Sequence, residues 1–255
     1  MLNVRVDRSS LIQGKTLKPV LLGGYRRRVV SIGGIACVGG KVNSGEAEHM
    51  VSAAKAILRK RIHAAERAAV AAAAAAGVGE KAELQGLAAS VELPPIEVRV
   101  DADSRTFSSG GGLTLWAVTE TGARIGGSAL LDLPRPTTNA KRHRAGGSEG
   151  CIGAGLGKAV GEAAAEDLLK QLSHGGAVDE HCTDQLVVFM ALAEGRSELL
   201  TGPLSMHTQT ALHFASELAN CKIKIVDLDG TGLATGLNMI TCDGIGHTTS
   251  RRSPN

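Results

Sequence analysis

The segment Thr201-Gly-Pro-Leu-Ser-Met-His-Thr-Gln-Thr-Ala211 carries the residues best suited to chemistry. It reads as a strand end, a turn and a helix whose apolar face is Ala211, Leu212, Ala215 and Leu218, so His207 falls at a helix amino terminus. There the helix dipole disfavours imidazolium and leaves a ring nitrogen free to attack, while the backbone N–H groups of the first turn can hold a phosphate. A nucleophilic histidine fits that setting. With eight histidines in the chain, a capping or packing role is the plain alternative for any one of them.

In the helix predicted to start at Asp179, the stripe Cys182, Leu186, Phe189, Met190 and Ala193 is expected to face the core. His181 and Asp184, three residues apart, then share a different face. Asp184 can coordinate a metal or hydrogen-bond a nucleotide, and Gln185 can reach a base edge or a phosphate; a solvated helix face accounts for the same spacing. Gly153-Ala-Gly-Leu-Gly-Lys158 suggests a phosphate loop, but Ile152 stands at the first glycine position of that motif and Ala159 at its closing Ser/Thr. Its G-x-G-x-G spacing after a polar stretch is no dinucleotide fingerprint either, and a flexible loop entering a helix describes it better. The clusters Arg26-Arg27-Arg28 and Lys141-Arg-His-Arg144 can touch phosphates or serve as a weak nuclear address, although short basic runs in loops are ordinarily just solvated.

These residues need elements to position them. Val4 and Val6 alternate with Arg5 and Asp7 in strand fashion, and Val29 to Val38 reads as a strand with a kink or bulge at Gly33-Gly34. From Ser44, as N-cap, Met50, Val51, Ala54, Ile57, Leu58 and Ile62 recur at helical spacing. Residues 64–92 are Ala-rich low complexity, a helical extension fraying into a linker. Leu113–Val118 and Arg124–Leu131 form a hairpin across Thr-Glu-Thr-Gly, Pro134–Gly150 is a long polar, basic loop, and Val160, Ala164, Leu168 and Leu172 mark the next helix. This order, β-α-β-β-α, makes a two-layer α/β domain over residues 27–173, with His174-Gly-Gly as the hinge out of it. A helix over 179–193, a strand near 198–204, a helix over 208–219 and strands over 222–228 and 237–242 compose a second α/β unit.

At 255 residues the chain holds one or two domains, and 43% hydrophobic with 21% charged residues is a globular balance. Three Phe, one Trp and one Tyr leave a core of Ala, Val, Leu and Ile, and disfavour an RNA-recognition module built on rows of stacking aromatics. The net charge of +3 suits a polyanionic partner without demanding one. Five scattered cysteines with no C-x-x-C pair speak for reduced thiols in an intracellular protein, and against a disulfide framework or a zinc site. No secretory leader is visible and no apolar run reaches about 18 residues, so the chain reads as soluble, with no membrane partner.

Taken together, His174-Gly-Gly-Ala-Val-Asp-Glu-His-Cys-Thr-Asp-Gln-Leu-Val-Val-Phe-Met-Ala-Leu-Ala and Thr201 through Ala215 resemble the RNA 3′-terminal phosphate cyclase family, especially its eukaryotic branch. Phe107 to Leu131 is similar, more weakly, to the family's Gly-rich hairpin. The resemblance implies an α/β fold in which residues 174–255 are the last, catalytic α/β repeat of the large domain. Residues 1–26 would be a strand segment of that domain, and 27–173 the small β-α-β-β-α insert domain. It also implies a three-step reaction: a histidine attacks ATP to give a histidine-AMP phosphoramidate, AMP passes to an RNA 3′-phosphate, and the neighbouring 2′-hydroxyl closes the cyclic phosphate. His207 matches the adenylylated histidine, and Asp184 and Gln185 match the Asp-Gln pair that contacts the nucleotide. His181 falls where a tyrosine usually packs on adenine. ATP, Mg2+ or Mn2+, RNA 3′-phosphate ends and a nuclear setting follow from the same resemblance. The family's amino-terminal repeats, with their metal-binding acid, have no counterpart here. The chain is therefore expected to be a fragment or a truncated gene product, with strand edges and apolar surface exposed. A noncatalytic cyclase-like protein of ribosome assembly, or an inactive fragment, is the alternative reading.

Overall fold

The computed structural model describes residues 16–24, 28–75, 94–132, 155–228 and 236–248. The strand expected around Val4 and Val6, the Ala-rich run beyond Ala75 and the basic cluster Lys141–Arg144 lie outside them. The elements are β1 (Leu21–Leu22), β2 (Val29–Gly39), α1 (Gly45–Ala75), β3 (Ile96–Asp103), β4 (Gly110–Thr119), β5 (Arg124–Leu130), α2 (Gly157–Ser173), α3 (Glu180–Leu192), β6 (Glu194–Thr201), α4 (Met206–Ala219), β7 (Lys222–Asp227) and β8 (Asn238–Ile245). This is the expected α/β class. Contacts gather into two compact units, one from residues 1–25 with 174–255 and the other from 26–173.

In the unit of residues 26–173 the sheet order is β3-β2-β4-β5, with β3 parallel to β2 and the other pairs antiparallel. Ile32, Ala36, Val38, Leu113, Leu115, Ala117 and Ile125 project from one face of this sheet onto Met50, Ala54 and Leu58 of α1 and Val160, Ala164 and Leu168 of α2. Full burial of a leucine such as Leu58, Leu115 or Leu168 contributes about 2 kcal/mol. The order of elements is β-α-β-β-β-α, one strand more than the sequence reading allowed. The addition is β3, in which Ile96, Val98 and Val100 alternate with exposed Glu97, Arg99 and Asp101.

Strand β2 does not kink at Gly33-Gly34; its irregularity falls between Val29 and Ser31. The two glycines serve close packing instead. A Cβ on Gly33 would come 2.5 Å from Nε1 of Trp116, and one on Gly34 would come 2.7 Å from Cδ2 of Leu115. Helix α1 begins after Asn43, whose Oδ1 accepts from the Gly45 amide at 2.8 Å. Helices α1 and α2 meet with almost no side chain between them, because a Cβ on Gly157 or Gly161 would collide with the carbonyl oxygens of Glu46 and Met50.

In the other unit the order is β1-β6-β8-β7, with β1 parallel to β6 and the remaining pairs antiparallel. Leu199, Ile240 and Cys242 pack with Val187, Met190 and Ala191 of α3 and Leu212 of α4. Arg196 and Glu198, paired with Asp243 and Thr241, alternate with them toward the opposite face, the inside-outside pattern of a half-covered antiparallel sheet. Strand β6 runs over 194–201 rather than 198–204: it pairs with β8 from Glu194 onward, and Gly202-Pro203 ends it.

Candidate active site

Helix α3 starts at an N-cap, Asp179, whose Oδ1 accepts from the Cys182 amide at 2.8 Å. Thr183, buried beneath, donates from Oγ1 to the Asp179 carbonyl at 2.9 Å and shares a 2.6 Å hydroxyl contact with Thr201 at the end of β6. These bonds tie the first turn of α3 to the strand that leads to α4. They also set its rotation: Thr183, Val187, Met190 and Ala191 face inward, while Phe189, expected in the core, is 53% exposed. Asp184 is left half-buried and Gln185 exposed, on the side facing α4. Burial, reinforced by Asp179 and Asp184, pushes the Cys182 thiol above its ordinary range, and its side chain packs against the core.

Helix α4 starts two residues earlier than the sequence suggested. Ser205 is its N-cap, with Oγ accepting from the Thr208 amide at 3.1 Å. Gln209 adds a second brace, donating from Nε2 to the Leu204 carbonyl at 3.1 Å. His207 is therefore the second helical residue, exposed, in the turn where amides lack intrahelical acceptors. The approach is shaped by small residues: Gly176 and Gly202 make room for the buried ring of His174, whose Nδ1 accepts from the Gly176 amide at 3.1 Å.

Between α3 and α4 lies an open cleft of about 480 Å³ lined by Asp184, Gln185, Met206, His207, Thr210 and Ala211. Three of the four residues singled out from the sequence meet there. His181, exposed in the first turn of α3, is not among the lining side chains. Sequence reasoning missed Met206, Thr210 and Ala211 as site residues, although Thr210 and Ala211 stand three and four positions after His207 and so share its helix face. Among the described residues, Asp184 is the only carboxylate lining the cleft, and no Lys or Arg lines it. Among the described residues no group of three or more His, Cys, Asp or Glu side chains is arranged to hold a metal ion, and no helix is long and apolar enough to cross a membrane. An exposed imidazole at a helix mouth, opposite a carboxylate and an amide, can attack an electrophilic phosphorus while the facing groups hold the rest of the molecule.

A sequence profile described as RNA 3′-terminal phosphate cyclase matches residues 17–225, which take in the cleft. The "Probable RNA 3′-terminal phosphate cyclase" of Dictyostelium discoideum is 46% identical over 99 residues, 38% of this chain and 23% of that protein. The RNA 3′-terminal phosphate cyclase of Pyrobaculum neutrophilum is 29% identical over 182 residues, 60% of this chain and 47% of the relative. That of Pyrobaculum aerophilum is 31% identical over 168 residues, 66% and 39% respectively. The chain thus spans less than half the length of these relatives. With most of its length matched by a single family profile, the chain belongs to the RNA 3′-terminal phosphate cyclase family.

Proposed function

We propose that this chain carries the nucleotidyl-transfer centre of an ATP-dependent RNA 3′-phosphate cyclase, an enzyme of the ligase class acting in RNA processing. In this reading a ring nitrogen of His207 attacks the α-phosphorus of ATP, the bond to pyrophosphate breaks, and AMP remains on the ring. An oxygen of the RNA 3′-phosphate then attacks that phosphorus and the N–P bond breaks. The neighbouring 2′-hydroxyl finally attacks the terminal phosphorus, loses its proton and expels AMP, leaving the 2′,3′-cyclic phosphate.

The observation that carries the reading is the meeting of His207, Asp184 and Gln185 in one cleft, from two helices, in a chain of this family. The amides of the first turn of α4 suit the α-phosphate, and the exposed ring of His207 in that turn is placed to attack it. Gln185 hydrogen-bonds the nucleotide, and His181, at the outer end of α3, stacks on adenine less well than a larger aromatic ring would. Asp184 suits a divalent ion: Mg2+ and Mn2+ take one or two carboxylates together with phosphate oxygens and water, and among the described residues the lining offers one carboxylate and no competing Lys or Arg. When bound, such an ion supplies charge neutralisation at the phosphates. Nuclear residence belongs to the same reading.

The test is incubation with ATP labelled at the α-phosphate and a divalent metal, comparing the native chain with His207→Ala. Acid-labile, covalently bound AMP is expected on the native chain, with a fall to background in the variant. Folded native chain that takes no label would instead favour a noncatalytic cyclase-like protein.

A further inference from the structure

We infer that Thr210 is a substrate-contacting residue of the His207 centre, its hydroxyl donating to a nonbridging oxygen of the phosphate that His207 attacks. The inference rests on the reading of His207 as the nucleophile and extends it to a residue that neither the motif reading nor the family resemblance singled out.

Three observations carry it. Thr210 lines the cleft together with His207, Asp184 and Gln185. It lies one turn after His207 on α4, which sets the two Cβ atoms about 5–6 Å apart on one face. Helical side chains lean toward the amino terminus, so the Thr210 side chain lies over the turn that bears His207. The other hydroxyls of this turn are engaged: Ser205 and Thr208 bond each other at 3.1 Å, and Ser205 also takes the Thr208 amide. Thr210 is exposed and lines the cleft. A β-branched residue here gains nothing in helix propensity over alanine.

The test compares Thr210→Val, which keeps the branched shape, with Thr210→Ser, which keeps the hydroxyl. Both are assayed for the rate of AMP labelling at saturating ATP and for ATP binding by equilibrium dialysis, which needs no reaction. Loss of one hydrogen bond predicts a fall of about fivefold to tenfold in labelling rate for Thr210→Val, with Thr210→Ser restored to near the native rate and the circular dichroism melt of all three chains alike. A native labelling rate and native ATP affinity in Thr210→Val overturn the role of Thr210 alone. A native chain that binds ATP without labelling overturns the role of His207, and a weaker affinity in Thr210→Val than in Thr210→Ser then still supports the Thr210 contact. A native chain that neither labels nor binds ATP overturns both.

Discussion

Helices α2 and α4 enter their respective sheets in similar ways, and their amino termini have been put to opposite uses. At α2 the amides of Gly155 and Gly157 donate to Oε1 and Oε2 of Glu46 at 2.9 and 2.7 Å, and Glu46 is only 4% exposed. The anion that a helix terminus attracts is thus supplied from within, by the first turn of α1. At α4 the cap bond from the Thr208 amide to Ser205 is made by a neutral hydroxyl, and the turn opens onto solvent with His207 exposed. The glycines leading into α2 and the lysine of its first turn look like phosphate-loop material, and the α4 turn, with Pro203 and no glycine after Gly202, does not. Glycines mark where backbone comes close to something; only the side chains packed against them say whether that is a ligand or the protein's own carboxylate.

The sharpest way to break this contrast is Glu46→Ala, which leaves the buried Gly157 amide and the part-buried Gly155 amide without their charged acceptor and should destabilise the unit of residues 26–173 by about 2 kcal/mol. Urea unfolding measures it. AMP labelling at His207 well below the transition should be unaffected, since Glu46 has no place in the cleft. Ser205→Ala acts on the open terminus and should cost less, about 1 kcal/mol, while slowing labelling as the turn bearing His207 loosens. Acid separates the two termini more finely. Burial alone would raise the Glu46 carboxyl, but the Gly155 and Gly157 amides and nearby His49 outweigh it and hold it below its ordinary value of 4.5. A depressed folded value means that the stabilisation is complete above pH 4.5 and is lost as pH falls through the folded value. The native chain should therefore lose stability in that range and Glu46→Gln should lose less. Equal losses in the two would mean that the Glu46 contact is not what acid breaks.

The helix that bears His207 and the strand before it were legible as elements because their apolar patterns are local, but their bounds were not: Gly202-Pro203 ends the strand and Ser205 caps the helix, earlier than the apolar spacing alone suggests. What escaped had competing signals. Strand β3 has a period-2 pattern in plain view, Ile96, Val98 and Val100, but it follows the Ala-rich stretch and two prolines and was given no element. The rotation of α3 was misjudged at Phe189 because residues 186–193 are apolar all round, and periodicity cannot choose a face there; the Thr183–Thr201 contact does. Leu218 was placed on the buried face of α4 yet is 84% exposed, with Ala219 and Cys221 packed where it was expected. Thr210 had no motif to announce it, only its spacing from His207.

Helix α1, with 31 residues, is about 46 Å long, whereas its partner α2, with 17, is about 26 Å. The difference is taken up at the carboxyl end, after Leu58, Ile62 and the Arg61–Glu166 ion pair have closed the seam, where the chain turns to a run of alanines. Each alanine added or removed there would change the helix by about 1.5 Å of rise without shifting the register of the residues before it.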